Sequence, residues 1–388
     1  MHLGLFEDNV RDGELTIVTP SGERHRFGTG MPHVTWTLHD PRALGRIQRN
    51  PGAQLGETYM AQAWDVTEGT LTDLLRVLRR NLQAALRTPL LPGLARLVTS
   101  WNNLRASFEN VSRHYDLDES VFRAFLDTDM HYSCAYFRRA DMSLEDAQQA
   151  KCAHVAAKLA LAPGQRVLDI GSGWGGLGLY LARAAGVEVT GLTLSREQHR
   201  IASAAAIERG LADRVRFLLE DYREHQGQYD RIVSVGMFEH VGRRFMPMYF
   251  RRMRAALAPD GVALLHTISS TSPPAPISLW IRRHIFPGGY IPSISDTAAA
   301  IEHAGLIATD IEVLRDHYAL TLAEWNRRFQ AQRARFVVSH GEAFCRMWEF
   351  YLVASQTAFE CRDLVVTQWQ LGHRGVRLPI TRSYLYDH

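Results

Sequence analysis

Five apolar runs between residues 166 and 268 constrain this chain more than any other feature: RVLDIG, VEVTGLTL, VRFLLED, DRIVSVG and GVALLHTI. A strand buried on one face alternates apolar and polar residues, whereas near-continuous apolar runs need cover on both faces. The first two runs are followed by clear helical stretches, and the fourth by MPMYFRRMRAAL. Strands alternating with helices predict an α/β fold, a doubly wound, Rossmann-like parallel sheet. Ligands of such sheets sit outside the carboxyl ends of the strands, so the residues just after each run carry the functional question.

At 388 residues the chain exceeds one ordinary core, and two domains are expected. Strand-like pieces near the start, ELTIVTP and HVTWTLHD, are separated by Gly, Pro, Asn and Asp. TLTDLLRVLRRNLQAAL then repeats apolar residues at helical spacing until TPLLPG breaks it. The polar helical segment SFENVSRHYDLDESVFRAFL reads as a hinge. Beyond it, SLEDAQQAKCAHVAAKLAL opens with Ser143 and, three residues on, Asp146, the start of a capped helix. The expected division is a smaller α+β domain over residues 1–118 and the wound domain, with a helical cap, over residues 119–388.

With 46% hydrophobic and 22% charged residues, the composition is that of a soluble globular protein. No apolar run approaches the ~20 residues needed to span a bilayer. MHLGLFEDNVRDGE lacks the basic-then-apolar layout of a secretory leader. Cys134, Cys152, Cys345 and Cys361 form no C-x-x-C pair, which argues against a zinc knuckle or a disulfide framework. Reduced thiols, no metal site and a cytoplasmic location are the expectation. Net charge is only +3, but arginines clump in GRRF, FRRMR, IRRH and NRRFQAQRAR. Any one clump reads as a solvated helix face. Together they suit an anionic surface, phospholipid headgroups or nucleic acid, and no nucleic-acid module accompanies them.

VLDIGSGWGG follows the first run and opens a helix, and Gly171, Gly173 and Gly176 satisfy G-x-G-x-x-G. A dinucleotide site would want an acid at the end of the second strand to hold a ribose, and GLTLS supplies none. A tight turn without a ligand is the duller reading. Asp169, just before the glycines, instead resembles the first motif of methyltransferases that use S-adenosylmethionine. There the acid lies near the ligand's ammonium end. Asp221, in the EDY that closes the third run, is placed to accept from an adenine amino group. After the fourth run come Glu239 and His240, an acid and an imidazole at the end of an apolar strand, costly unless something is bound there. His240 reads as structural.

MHYSCAYF, LDIGSGWGG, GLTLSREQ, DRIVSVGMFEHVG, LLHTI, FPGGYIPS and HYALTLAEW stand here in the order of the cyclopropane fatty acid synthase family. The resemblance covers about residues 120–388. It extends weakly forward through LGETYMAQAWDV, similar to the N-terminal lipid-associated domain of phospholipid-modifying members. Ser172 stands where many members have Cys. The resemblance implies cofactor contacts at Tyr132, Ser133, Gly171, Gly173, Thr193, Leu194, Gln198, Asp221 and Tyr222. It also implies methylene transfer to the cis double bond of an unsaturated phospholipid acyl chain, with bicarbonate as the base. The implied anion cage is the backbone of Cys134, Glu239, His266, the backbone of Ile268, and Tyr318.

The chemistry of those residue types agrees. An alkene has no proton to lose before it attacks, so a base is needed only afterwards, in a dry site that protects a carbocation. A neutral or cationic His266 and the Tyr318 hydroxyl donate to an anion, and Glu239 accepts its proton. Singly, Cys134 reads as a small buried hydrophobe, His266 as a core histidine and Tyr318 as a packing residue. Rival readings are a relative giving methyl-branched, hydroxylated or methylene-bearing chains, an N-methyltransferase sharing the FEH context, and a non-catalytic lipid- or cofactor-binding protein. Membrane contact at an anionic surface is expected. Headgroup preference, and whether the chain forms a homodimer, stay open.

Overall fold

The computed structural model describes residues 3–82 and 119–386. The expected boundary near residue 118, and most of the hinge segment, lie outside the described residues. Compactness gathers the chain into two interleaved units: Met1–Leu94 with Ile277–Pro287 and Leu322–Asp363, and Ala95–Pro276 with Gly288–Thr321 and Leu364–His388.

The first unit is built on a sheet in the order β2-β1-β3-β4: β1 Gly13–Val18, β2 Arg24–Thr29, β3 His33–Leu38 and β4 Trp64–Glu68. Along β1 every second residue is buried, and Leu15 and Ile17 point into the core. The β2 strand was not legible, because Arg24, His25 and Arg26 give it the charged character of a guarded sheet edge. Helix Glu342–Glu360 belongs to this unit rather than to the sheet that follows it in sequence. Tyr59 donates to Glu349 at 2.9 Å, and Arg76, Arg79 and Arg346 pair with Glu360, Asp363 and Asp65 at 2.8, 2.7 and 2.6 Å.

The second unit holds a seven-stranded sheet in the order β10-β11-β9-β8-β5-β6-β7. All five apolar runs are strands: β5 Arg166–Ile170, β6 Glu188–Thr193, β7 Val215–Leu219, β8 Tyr229–Val235 and β9 Leu257–Ser270. These pair in parallel, and β11 Leu364–Gly372 and β10 Ile307–Leu314 complete one edge antiparallel. Successive residues show why continuous runs were required. Val233 and Leu264 join one core layer with Val167 and Val189, whereas Ile232, Ala263 and Leu265 join another with Leu168 and Ile170. Burying a side chain such as Ile232 contributes about 1.5–3 kcal/mol, so both faces must be covered. The expected doubly wound α/β fold is what the chain forms.

The chain winds outward from β5 in both directions, through β6 and β7 on one side and β8 and β9 on the other. That reversal opens a crevice at the carboxyl ends of β5 and β8, where the glycine loop and Glu239 lie. Ser143 caps helix Leu144–Lys158 as expected, its Oγ accepting from the Asp146 amide at 3.1 Å.

Candidate active site

The amides of Gly171 and Ser172 both donate to the Leu192 carbonyl, at 3.0 and 2.8 Å, tying the glycine loop to β6. Gly171 and Gly173 take φ of +87° and +54°, a region that favours glycine. A Cβ at Gly171 would meet the Met237 side chain at 2.6 Å, and one at Gly176 the Asp129 carbonyl at 2.5 Å. At Gly173 a Cβ would meet nothing within 4 Å. The first two glycines serve close packing, and Gly173 alone faces open space.

That space opens into a pocket at the carboxyl ends of the strands. Tyr132, Ser133, Asp169, Gly171, Gly173, Thr193, Leu194, Gln198, Asp221 and Tyr222 all line it. Thr193 donates to Gln198 at 2.9 Å, fixing both side chains. The Asp221 carboxylate receives Arg223 Nε at 2.8 Å and Nη2 at 2.6 Å, which holds it rigidly at the rim of β7. Asp169 is buried and, among the described residues, neither of its oxygens accepts a hydrogen bond; burial pushes its carboxyl up to about 7 against the pull of Lys151 and His131. An unsatisfied carboxylate and an open glycine face fit the ammonium end and bulk of S-adenosylmethionine.

Sequence reasoning missed several lining residues, among them three with titratable side chains set against the glycine loop's ligand space. His240, read as structural, lines the pocket, and burial lowers its pKa to about 4. His131 and Lys151 line it as well. The signal for Lys151 was its place on the buried stripe Leu144, Ala147, Lys151, Val155, where a lysine has no reason to be unless it meets something.

Glu239, His266, Ile268, Cys134 and Tyr318 are not among the residues that line the pocket. Glu239 sits in the short turn Phe238–His240 after β8, and its Oε1 accepts the Ile268 amide at 2.6 Å. Among the described residues its Oε2 is sealed from solvent and accepts no well-formed hydrogen bond; burial pushes the carboxyl up to about 7 against the pull of the Ile268 amide and the Thr267 side chain. The Ile268 amide, expected to face an anion, is thus directed at Glu239. His266 lies two residues earlier on β9, opposite Val235 of β8 and Gln368 of β11. Burial lowers it to about 3, so it is neutral. Gln368 Nε2 stands 3.1 Å from His266 Nδ1 and, as donor, leaves the proton on Nε2; no motif or spacing pointed to this partner. Cys134 is buried, and burial pushes its thiol up. The Ala135 amide donates to Thr321 Oγ1 at 3.1 Å and the Phe137 amide to His317 Nδ1 at 3.0 Å. These bonds run residues 134–137 along the first turn of helix His317–Ala331, which carries Tyr318.

The sheet order and the glycine-loop pocket define an S-adenosylmethionine-dependent methyltransferase. The family described as mycolic acid cyclopropane synthetase matches residues 102–369. The chain is 39% identical over 338 residues to the cyclopropane-fatty-acyl-phospholipid synthase of Escherichia coli K12, covering 86% of each. It is 36% identical to the tuberculostearic acid methyltransferase UfaA1 of Mycobacterium tuberculosis, over 87% of this chain and 83% of that one. The solved structure of the mycolic acid cyclopropane synthase CmaA1 complexed with SAH and CTAB superposes with a TM-score of 0.65 at 35% identity, covering 68% of this chain and 97% of that one. The chain belongs to the cyclopropane synthase family of S-adenosylmethionine-dependent methyltransferases.

Proposed function

We propose that the protein converts the cis double bond of an unsaturated phospholipid acyl chain to a cyclopropane, using a bound bicarbonate ion as the base. The observation that carries this is the buried Glu239 Oε2, which accepts no well-formed hydrogen bond among the described residues and lies one residue before pocket-lining His240. When bound, S-adenosylmethionine supplies an electrophilic methyl group. Transfer of that carbon to the double bond would leave the S–C pair on sulfur and release one proton from the added carbon as the ring closes, so what the chain has to hold is a base. The chain's own residues serve the last step. Neutral His266 and Tyr318 donate to the anion, and Glu239 Oε2 accepts its O–H, aiming its remaining oxygen at the lipid. An anion about 4 Å from the cation contributes ~4 kcal/mol at an effective dielectric of 20, roughly a thousandfold in rate. We assign this chemistry to residues 119–388 and lipid contact to residues 1–118.

The test is incubation with unsaturated phospholipid vesicles and methyl-labelled cofactor. The expected product carries label and cyclopropane proton resonances and has lost its olefinic signals. The likeness to UfaA1 favours a second reading, a methyl-branched chain. A methylene-bearing product would be isomeric with the cyclopropane, so resonance rather than mass decides. No label in lipid overturns both.

Access to lipid in place requires a surface for headgroups. Many of the clumped arginines are already paired: Arg243 with Asp296 at 3.0 Å, Arg327 and Arg328 with Glu324 at 2.7 and 2.8 Å, and Arg333 with Glu342 at 2.7 Å. Arg251, Arg252 and Arg254 are exposed on helix Met246–Ala256. Sedimentation with anionic vesicles is expected to weaken as salt rises, since exposed charges are screened over ~8 Å at physiological ionic strength. Binding indifferent to salt and lipid charge would leave apolar contact alone responsible.

A further inference from the structure

Lys151 is 1% exposed, yet it lines the pocket. Among the described residues its Nζ has one hydrogen-bond partner, Ser133 Oγ, at 3.3 Å, and no ion pair. An ammonium has three hydrogens to place, and a sealed cation without an anion costs free energy. The nearby histidine does not supply one. Burial lowers His131, but Cys152 and Asp127 overcome this and hold it up at about 9, so it too carries positive charge. Its own counter-groups are the Asp127 carboxylate at 2.7 Å from Nδ1 and the Cys152 sulfur at 3.3 Å from Nε2. Of the carboxylates in the lining, Asp221 is held by Arg223 and Glu220 by His225 at 3.1 Å, whereas among the described residues neither oxygen of Asp169 accepts a hydrogen bond, from Lys151 or from another group.

The pocket lining therefore holds a buried ammonium with one hydrogen bond and a buried carboxylate with none, not bonded to each other. A ligand that carries an ammonium and a carboxylate on one carbon satisfies both at once. We infer that Lys151 binds the α-carboxylate of the methionyl end of S-adenosylmethionine, with Asp169 on the α-ammonium. Ser133, accepting from Lys151, keeps its own O–H as a donor for the same carboxylate. This rests on the S-adenosylmethionine reading of the pocket and adds a residue that the glycine motif does not contain. It makes the site selective for the intact amino-acid end rather than for the nucleoside alone.

The test compares S-adenosylmethionine with its decarboxylated form, which keeps the sulfonium and ammonium, by titration calorimetry on the full chain. Wild type is expected to bind the decarboxylated ligand roughly ten- to hundredfold more weakly, the range for one hydrogen bond to a charged group. Lys151→Met is expected to lose that preference by weakening only the carboxylate-bearing ligand, and Lys151→Arg to retain part of it. If Lys151 only supports the fold or Asp169, Lys151→Met weakens both ligands equally, which overturns the inference. A wild type that binds both equally also overturns it, whether or not the variant folds. A wild type that binds neither, nor methylthioadenosine, overturns instead the reading of the pocket.

Discussion

Gly173→Val is expected to lower S-adenosylmethionine affinity at least about a hundredfold, the scale of a ligand that meets a rigid obstruction in a preformed pocket. The backbone there has φ of +54°, and a Cβ would project into open space rather than into protein. Strain confounds such a variant, since a branched residue at positive φ costs about 1–3 kcal/mol by itself. Gly164 provides the control. Its φ is +79° and its Cβ direction is equally empty, but it lies in the turn before β5 and outside the pocket. Both valine variants should lose similar stability in thermal melts, and only Gly173→Val should lose the ligand in calorimetry. Wild-type affinity in Gly173→Val would remove the glycine loop from the binding site.

The glycine loop was legible because its chemistry is local: a strand, a turn at positive φ and a helix start are consecutive in sequence. The same holds for Thr193 and Gln198, held by the same turn, and for Asp221 after β7. What escaped was set by pairing across the chain. Strand β10 reads poorly as a strand because its pattern is inverted: Ile307, Ile311 and Val313 are exposed, whereas Glu312 turns toward buried Lys158 and His154 at 2.6 and 2.7 Å. Gln368, the partner of His266, lies 102 residues away on a strand laid antiparallel to β9. No spacing rule joins two such residues, because only the sheet order makes them neighbours. Lys151 was hidden differently, in an alanine-rich helix whose apolar and polar residues are not segregated to faces, so the sequence does not mark which side is buried. The interleaving of the compact units was illegible because it too depends on pairing across the chain, as where Arg76 meets Glu360 of helix Glu342–Glu360.

Glu239→Gln is expected to lower turnover at least about a hundredfold while leaving cofactor affinity and fold intact, the scale of losing a positioned acid–base group. The substitution is nearly isosteric, and the amide oxygen still accepts from the Ile268 amide, the bond that Oε1 makes at 2.6 Å. What changes is the second atom. An N–H donor replaces the sealed acceptor Oε2, so the O–H of a bicarbonate loses its partner and its aim. The stability of the variant reports separately. In the folded chain the carboxyl titrates near 7 instead of its ordinary 4.5, because burial disfavours the charged form. Between those values the unfolded chain has lost the proton and the folded chain keeps it, so the group costs wild type stability as pH rises through that window and no further above about 7. Glutamine has no such cost. Melting temperatures should therefore shift in the variant's favour from pH 4.5 to 7 and run parallel above it, with the rate deficit present throughout. Wild type in degassed, carbonate-depleted buffer should lose activity and regain it on adding bicarbonate. The variant weighs more than the depletion, because a tightly held ion survives degassing. If Glu239 served only to tie β9 to the turn after β8, glutamine would preserve that bond and the rate with it. An active Glu239→Gln enzyme would therefore leave the orphaned Oε2 without a chemical role, and the bicarbonate reading with it.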